Sequence, residues 1–398
     1  MRGIITQHSD NKTKFLFNFW GDTSFQNILV SDEKILSFIE GKTFDFIHID
    51  HDFQDYLYSK MNYLDPVAQA TNTIDTIYNQ DNFLIGFNAS YFGYIDLFKH
   101  HNIEINKKVI IIIGNSNHAK TLKYLLSQKT SNVIMVSSEP ELGEFNFNQF
   151  KLFPKIDILI NTLDTKEYLP IINLFKIAAK PDIVIDLACN SGRSDLLIQA
   201  KQLKCKTYNA QRATVYTAAY AYKIINSDLE NFRIDNAYSQ LQNQTNIVLI
   251  GMDNTIKSQV ANILGQHYQK EIIDTKILVE TNEKLNYLDI IENYGLDYYY
   301  NLESLVIEKL SEQNNKIIIT SDGVVDNYNN IKILQKHSRI YYLNTPTENF
   351  NKQISKLYLK RKHVFVDCTD ITVNCYNNTT LDITNAIIKE YEYYCYKK

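Results

Sequence analysis

No stretch of this 398-residue chain approaches the roughly 20 consecutive apolar residues that a membrane-spanning helix requires. The N-terminus, Met1-Arg2-Gly3-Ile4-Ile5-Thr6, enters a short apolar run and turns polar at once, so the apolar region of a secretory signal is lacking as well. Cysteine is sparse. The five residues Cys189, Cys205, Cys368, Cys375 and Cys395 are odd in number and show no C-x-x-C spacing, which fits reduced core thiols. An excess of one charge is missing too: the net charge is −4, and lysines and acids are interspersed. That excludes a nucleic-acid stripe and a polybasic membrane segment. Cytoplasmic residence is the expectation, with a small molecule or a partner protein recognised at local sites.

What is present is enough length for two or three domains of globular composition. Residues 1 to 101 read as alternating short strands and helices, ending in a helix predicted over Tyr91 to His101. Within them, Ile47-His48-Ile49-Asp50-His51-Asp52 alternates apolar and polar residues like a half-buried strand. His48, Asp50 and Asp52 would share one face, either as a divalent-metal cluster or as an ordinary solvated face. A second βα series opens with Val109-Ile110-Ile111-Ile112-Ile113, an apolar run of the kind buried on both faces in parallel sheets. It leads into the turn Gly114-Asn115-Ser116-Asn117-His118-Ala119, and the next strand, Asn132 to Val136, ends at Ser137-Ser138-Glu139. The polar stretch from Ser227 to Thr245 is expected to finish a helix and link to a new unit, which opens at the buried strand Asn246 to Ile250.

The skeleton Leu64-Asp65-Pro66, Ala68, Ala70, Thr76-Ile77, Gly86-Phe87-Asn88 and Gly93 resembles the shikimate dehydrogenase family without a gap. In that register the family's catalytic lysine falls on Gln54 and its catalytic aspartate on Ser90, while its substrate threonine and asparagine fall on Asp50 and Asp75. Hydride transfer from an alcohol needs a titratable group within reach of the departing proton. Gln54 cannot titrate. Each new acid would also repel the shikimate carboxylate by roughly 1 kcal/mol in water and roughly 4 at an effective dielectric of 20, at about 4 Å. Ser9 and Asn88 remain as substrate-binding candidates beside Asp50 and Asp75.

The resemblance continues through Asp182 to Leu187, Leu196-Leu197, Ala200 and Val215 to Ala219, with Cys189 at the family's site tyrosine and Thr217 at its substrate glutamine. It implies a dinucleotide site at Gly114, Asn115 and Ser116, where the family has closely spaced glycines. Asparagine tolerates left-handed dihedrals, so the turn is expected to form. Glu139 falls where the family meets the NADP 2′-phosphate and would repel it, leaving NAD, or a fold kept without cofactor.

From Gly251 onward the chain resembles shikimate kinase. Gly251-Met252-Asp253-Asn254-Thr255-Ile256-Lys257-Ser258 stands where a phosphate-binding loop would lie, with Lys257 for phosphate and Ser258 for magnesium under ATP. Ile256 replaces the loop glycine, and a β-branched residue forced into that backbone would cost on the order of 1 to 3 kcal/mol. For Lys257 the plain alternative is a solvated helix lysine. Asp274-Thr275-Lys276 matches the family's D-T-D with one charge reversed, leaving Asp274 as a second magnesium candidate. Tyr300 replaces an arginine, Ser321-Asp322-Gly323 replaces a triple glycine, and Arg361 stands at a substrate arginine. Between Asn344 and Arg361 the chain is too short for a lid.

Together these readings imply an α/β chain of three domains: a substrate domain over 1–101, a Rossmann-like domain over 102–242 and a P-loop kinase-like domain over 245–398. The expected function is that of a non-catalytic binding or regulatory protein, set against an oxidoreductase or kinase of altered specificity. In the latter, His48 or Asp75 would act as base.

Overall fold

Short apolar strands bounded by polar turns build three sheets in the computed structural model, which describes residues 1–6, 12–29, 32–49, 55–163, 173–188, 194–226, 233–310, 313–348 and 350–396. The chain divides into two compact units, Met1–Tyr238 and Ser239–Lys398. Among the described residues no helix is long and apolar enough to cross a membrane. Cys205, Cys368, Cys375 and Cys395 are buried thiols, and Cys189 lies outside the described residues.

In the first unit, β1 (Arg2–Thr6), β2 (Phe25–Leu29), β3 (Phe46–Ile49), β4 (Tyr63–Leu64), β5 (Thr76–Gln80) and β6 (Phe83–Phe87) form one sheet in the order β2-β1-β3-β5-β6-β4. Strands β5 and β6 are antiparallel, and Asp81 and Asn82 between them both take positive φ, as a two-residue hairpin turn of matching twist demands. All four residues of β3 are buried, because the strand lies between β1 and β5. His48 is therefore not on a solvated face. It packs edge-on against Phe17, and its Nδ1 lies 3.1 Å from Thr76 Oγ1. Asp50 and Asp52, its partners in the anticipated cluster, lie outside the described residues.

The second sheet of this unit contains β7 (Ile110–Ile113), β8 (Val133–Ser137), β9 (Phe145–Asn146), β10 (Ile158–Asn161), β11 (Ile183–Asp186) and β12 (Lys206–Asn209), all parallel, in the order β12-β11-β10-β7-β8-β9. The order reverses beside β7, at the switch point where doubly wound sheets hold ligands. The isoleucine run of β7 serves both faces: Ile110 and Ile112 enter one core cluster, Ile111 and Ile113 the other. Helix Ala89–His100 begins two residues before the position read from sequence, and it packs closely on helix Gln211–Lys223. A Cβ on Gly93 would lie 2.2 Å from Thr217 Oγ1, so only glycine permits that approach. The stretch expected to finish a helix and link to a new unit carries the separate helix Ile234–Asn243, because Ala237 and Leu241 supply a buried stripe.

The second unit is built on β13 (Asn246–Ile250), β14 (Glu271–Asp274), β15 (Lys316–Ile319), β16 (Ser338–Asn344) and β17 (Ile371–Asn374), all parallel, in the order β14-β15-β13-β16-β17. Central β13 is buried throughout, with Val248 and Ile250 in one cluster and Ile247 and Leu249 in the other. Helix Asn254–Tyr268 follows it, and helices Leu296–Leu310 and Lys352–Cys368 supply the side chains discussed below.

Candidate functional site

A small cleft in the first unit is lined by Ile49, Ile74, Asp75, Ser90 and His118, with the amide–threonine group Asn88, Thr73 and Thr121 and the side chain of Asn117 closing it. Its free volume of about 20 Å³ is room for one or two water molecules. Asp75 does not stand free in this cleft. Its carboxylate accepts from the backbone N–H groups of Ala89 at 2.9 Å and Ser90 at 2.7 Å and from Thr76 Oγ1 at 2.8 Å, capping helix Ala89–His100 from a distant strand end. Asn88 is also committed. Its Nδ2 reaches Thr73, Thr121 and Thr71 hydroxyls at 2.7, 2.9 and 3.2 Å, and its Oδ1 accepts from Tyr91 N. Nearby, burial pushes the Asp65 carboxyl above its ordinary range, and the charge of Asp75 adds to this. Asp65 accepts from the N–H groups of Ala68 and Asn88.

Two further cleft residues carry groups able to exchange a proton or a hydrogen bond. Ser90 is 5% exposed, and among the described residues its hydroxyl has no hydrogen-bond partner. His118 Nδ1 lies 2.7 Å from Tyr94 Oη, a contact that fixes the orientation of the ring. Neither His118 nor Tyr94 was assigned a role from sequence; the signal was a histidine in the turn after β7. Ser9, Asp50 and Gln54 lie outside the described residues. Thr217 is not a cleft residue, being half-buried in the contact between the two packed helices.

The turn after β7 forms differently from expectation. Gly114 alone takes a positive φ, 110°; Asn115, Ser116 and Asn117 do not. The space a Cβ would need at Gly114 is taken by Thr162 Oγ1, 2.5 Å away. Ser116 caps helix Asn117–Ser127 by accepting from Ala119 N and also donates to Thr162 Oγ1. A side chain therefore stands where close backbone approach to a pyrophosphate is needed, so the fit to a dinucleotide is poor. Asn115 and Glu139 are exposed.

In the second unit the phosphate-loop position has become helix. Helix Asn254–Tyr268 starts at its second residue after Met252 because the Asp253 carboxylate accepts from Thr255 N at 2.9 Å and Ile256 N at 3.1 Å. Ile256 is thus an ordinary helical residue without positive φ, and the strain expected there does not arise. Lys257 is neither at a phosphate position nor solvated. It is 0% exposed, and its ammonium donates to the carbonyls of Gly251 at 2.8 Å and Thr320 at 2.6 Å, tying the ends of β13 and β15 together. Burial pushes it down to about 8 against the opposing charges of Asp322, Glu303, Asp274 and Asp253. Gly251 is held at φ 142°, where a Cβ would lie 2.7 Å from the Leu343 carbonyl oxygen.

The remaining candidates are occupied likewise. Asp274 accepts from Lys276 N and caps helix Thr275–Glu283, and Ser258 is half-buried on its helix. Among the described residues no three metal-binding side chains cluster. Buried Glu303 accepts from Thr275 Oγ1 at 2.5 Å and from Ser321 N and Oγ at 2.8 and 2.5 Å. Arg361, 2% exposed, donates Nη1 to Asp322 at 2.6 Å, Nη2 to Tyr300 Oη at 3.1 Å and to Asp326, and Nε to both Asp326 oxygens. These residues do not fit ATP and magnesium: the Thr255 and Ile256 amides, the lysine and the arginine all have partners within the chain.

Comparison with known proteins agrees with this division. The shikimate kinase family model matches residues 253–362. Shikimate kinase of Dehalococcoides mccartyi is 27% identical over 172 residues, 38% of this chain and 98% of the relative, and that of Clostridium botulinum 36% over 111 residues, 28% of this chain and 65% of the relative. Among solved structures, shikimate dehydrogenase 1 of Peptoclostridium difficile superposes with a TM-score of 0.54 at 20% identity, covering 61% of this chain and 98% of its own. A chorismate mutase/shikimate 5-dehydrogenase fusion protein of Clostridium acetobutylicum gives 0.55 at 17%, covering 61% and 96%. The chain thus joins a shikimate dehydrogenase-like fold to a domain that matches the shikimate kinase family model. In the dehydrogenase-fold part the cleft lies between the first sheet and the turn after β7. In the second unit Lys257, from its helix, bonds the carbonyls just beyond β13 and β15, and Arg361, from another helix, bonds Asp322 beyond β15.

Proposed function

We propose that the protein is a catalytically silent relative of shikimate-pathway enzymes that works by binding, with the cleft at Asp75, Ser90 and His118 admitting a small polar group of its ligand. The observation that carries this reading is Lys257, whose ammonium is spent on the Gly251 and Thr320 carbonyls and so is withheld from phosphate. Phosphoryl transfer rests on positioned charge, and here the charge is already committed. In the cleft, the cap formed by Asp75 leaves a carboxylate beside any ligand, which favours an uncharged polar molecule over a carboxylic acid.

Purified protein assayed for NAD(P)-dependent shikimate oxidation and for ATP-dependent shikimate phosphorylation is expected to show no turnover. Rates near the ordinary enzyme median of about 10 s⁻¹ in either assay would overturn the reading. A thermal-shift screen with shikimate, NAD, NADP, ATP and ADP then identifies any retained ligand. One that binds only the native state at about 100 times its dissociation constant adds roughly 2.7 kcal/mol.

A second reading, an oxidoreductase of altered specificity, is favoured by one observation: His118, paired with Tyr94, supplies the cleft with a titratable group. It replaces His48, which is buried against Phe17, as the candidate base. Oxidation of an uncharged polyol with NAD that is lost in His118→Gln while the fold persists would favour this second reading.

A further inference from the structure

Arg361 is among the largest fully buried side chains of the described residues, and a buried guanidinium must find partners for its fixed fork of five N–H donors. It finds them on one short segment. Asp322 and Asp326 flank Gly323-Val324-Val325, directly after β15, at the C-terminal edge of a parallel sheet. That edge is where open α/β sheets hold ligands. The guanidinium faces it, yet Asp322 takes Nη1, Asp326 takes Nε and Nη2, and Tyr300 takes the remaining bond of Nη2.

Two features make the contact permanent. Val324 and Val325 are 0% and 5% exposed, so the segment is pinned in the core rather than hung from the surface. The Tyr300 ring lies so close over Gly323 that a Cβ there would be 2.1 Å from its Cε1, which fills the space beside the fork. Both carboxylates stay partly open to water, at 27% and 32% exposure, so the outer surface of the clamp is acidic: two negative charges face one positive.

We propose that Asp322 and Asp326 serve Arg361 as a built-in anion, closing this edge of the kinase-family unit to external carboxylates and phosphates. The contact is an autoinhibitory one fixed in the fold. It stands whether the cleft of the other unit binds, catalyses or does neither.

The test is anion rescue in the full-length chain. Asp322→Ala frees Nη1 while leaving the Asp326 pair intact; Asp326→Ala frees Nε and Nη2. Thermal midpoints are measured against sodium acetate and inorganic phosphate, with potassium chloride at matched ionic strength as control. The variants are expected to melt below wild type and to regain a saturable rise of about 5 to 10 °C at 100 times the dissociation constant of the added anion. Wild type is expected to follow the chloride control. A wild-type rise equal to that of the variants would mean the fork is open, and no rise in either folded variant would mean the carboxylates do not stand in for an anion. If Asp326→Ala does not fold, Asp326→Asn, which keeps one acceptor, takes its place and is read by the same two outcomes.

Discussion

Lys257 offers a test in which the expected sign is opposite to the familiar loss of stability at alkaline pH. An ammonium with 0% exposure that titrates at about 8 instead of 10.5 carries a burial cost of roughly 3 kcal/mol while it is charged. Below about pH 8 the native and the unfolded chain both hold the proton, and that cost is fully present. Between about 8 and 10.5 the unfolded chain holds a proton that the native chain has released, so stability rises with pH. The neutral amine keeps two hydrogens, enough for the carbonyls of Gly251 and Thr320. In Lys257→Met the charge is gone, but two buried carbonyls lose their donor at about 1 to 3 kcal/mol each. Set against the relieved cost of roughly 3 kcal/mol, this leaves the variant at pH 7 between about 1 kcal/mol more stable and about 3 kcal/mol less stable than wild type. The discriminating quantity is the difference between the two proteins, which should grow in favour of wild type by about 2 kcal/mol from pH 7.5 to 9.5. Urea titrations followed by far-UV circular dichroism measure it. The single tryptophan, Trp20, belongs to the first unit, so its fluorescence transition should not move. Lys270, also pushed down to about 8 by burial, is present in both proteins and cancels. A difference that stays flat or shrinks with pH would refute the buried-ammonium account.

Two changes probe the first unit. Gly93→Ala would place a Cβ 2.2 Å from Thr217 Oγ1 and 2.9 Å from Thr217 N, forcing the packed helices apart at a cost of about 1 to 3 kcal/mol; thermal melting followed by Trp20 fluorescence reads it, and an unchanged midpoint would show that the contact gives freely. Asp75→Ala removes the acceptor of Ala89 N, Ser90 N and Thr76 Oγ1 and should cost about 2 kcal/mol, whereas Asp75→Asn keeps an acceptor oxygen and should cost less. Equal losses in urea titration would remove the distinction between capping by position and capping by charge.

The framework of this chain was legible because it is written in short-range signals. The isoleucine run of β7 announces a strand buried on both faces, and it feeds two separate clusters. Ser116 and Asp253 stand just ahead of helices and cap them. What was illegible is the destination of the charges. Asp75 reaches residues 14 and 15 positions away, and Arg361 is clamped by acids 39 and 35 positions away. No local pattern encodes such pairings. The error at Ile256 had the same root: a loop conformation was carried over from the resemblance, while the Asp253 cap, visible two residues before Thr255, starts the helix early and relieves the strain.

The fate of these charges bears on what holds such a fold together. A ligand site keeps groups under-satisfied so that the ligand can complete them, which makes the site a source of instability. In the kinase-family unit the corresponding groups are completed from within: the Thr255 and Ile256 amides by Asp253, the lysine by two carbonyls, the arginine by two aspartates and a tyrosine. Removing one partner from such a buried set strands the other, so each substitution there should read first as a loss of stability. The cleft of the first unit differs in one respect: among the described residues the Ser90 hydroxyl, which belongs to its lining, has no hydrogen-bond partner. A hydroxyl so placed, beside a histidine held by Tyr94, is a group that a ligand would engage, and for that reason binding should be sought in the cleft before it is sought at the phosphate-loop position.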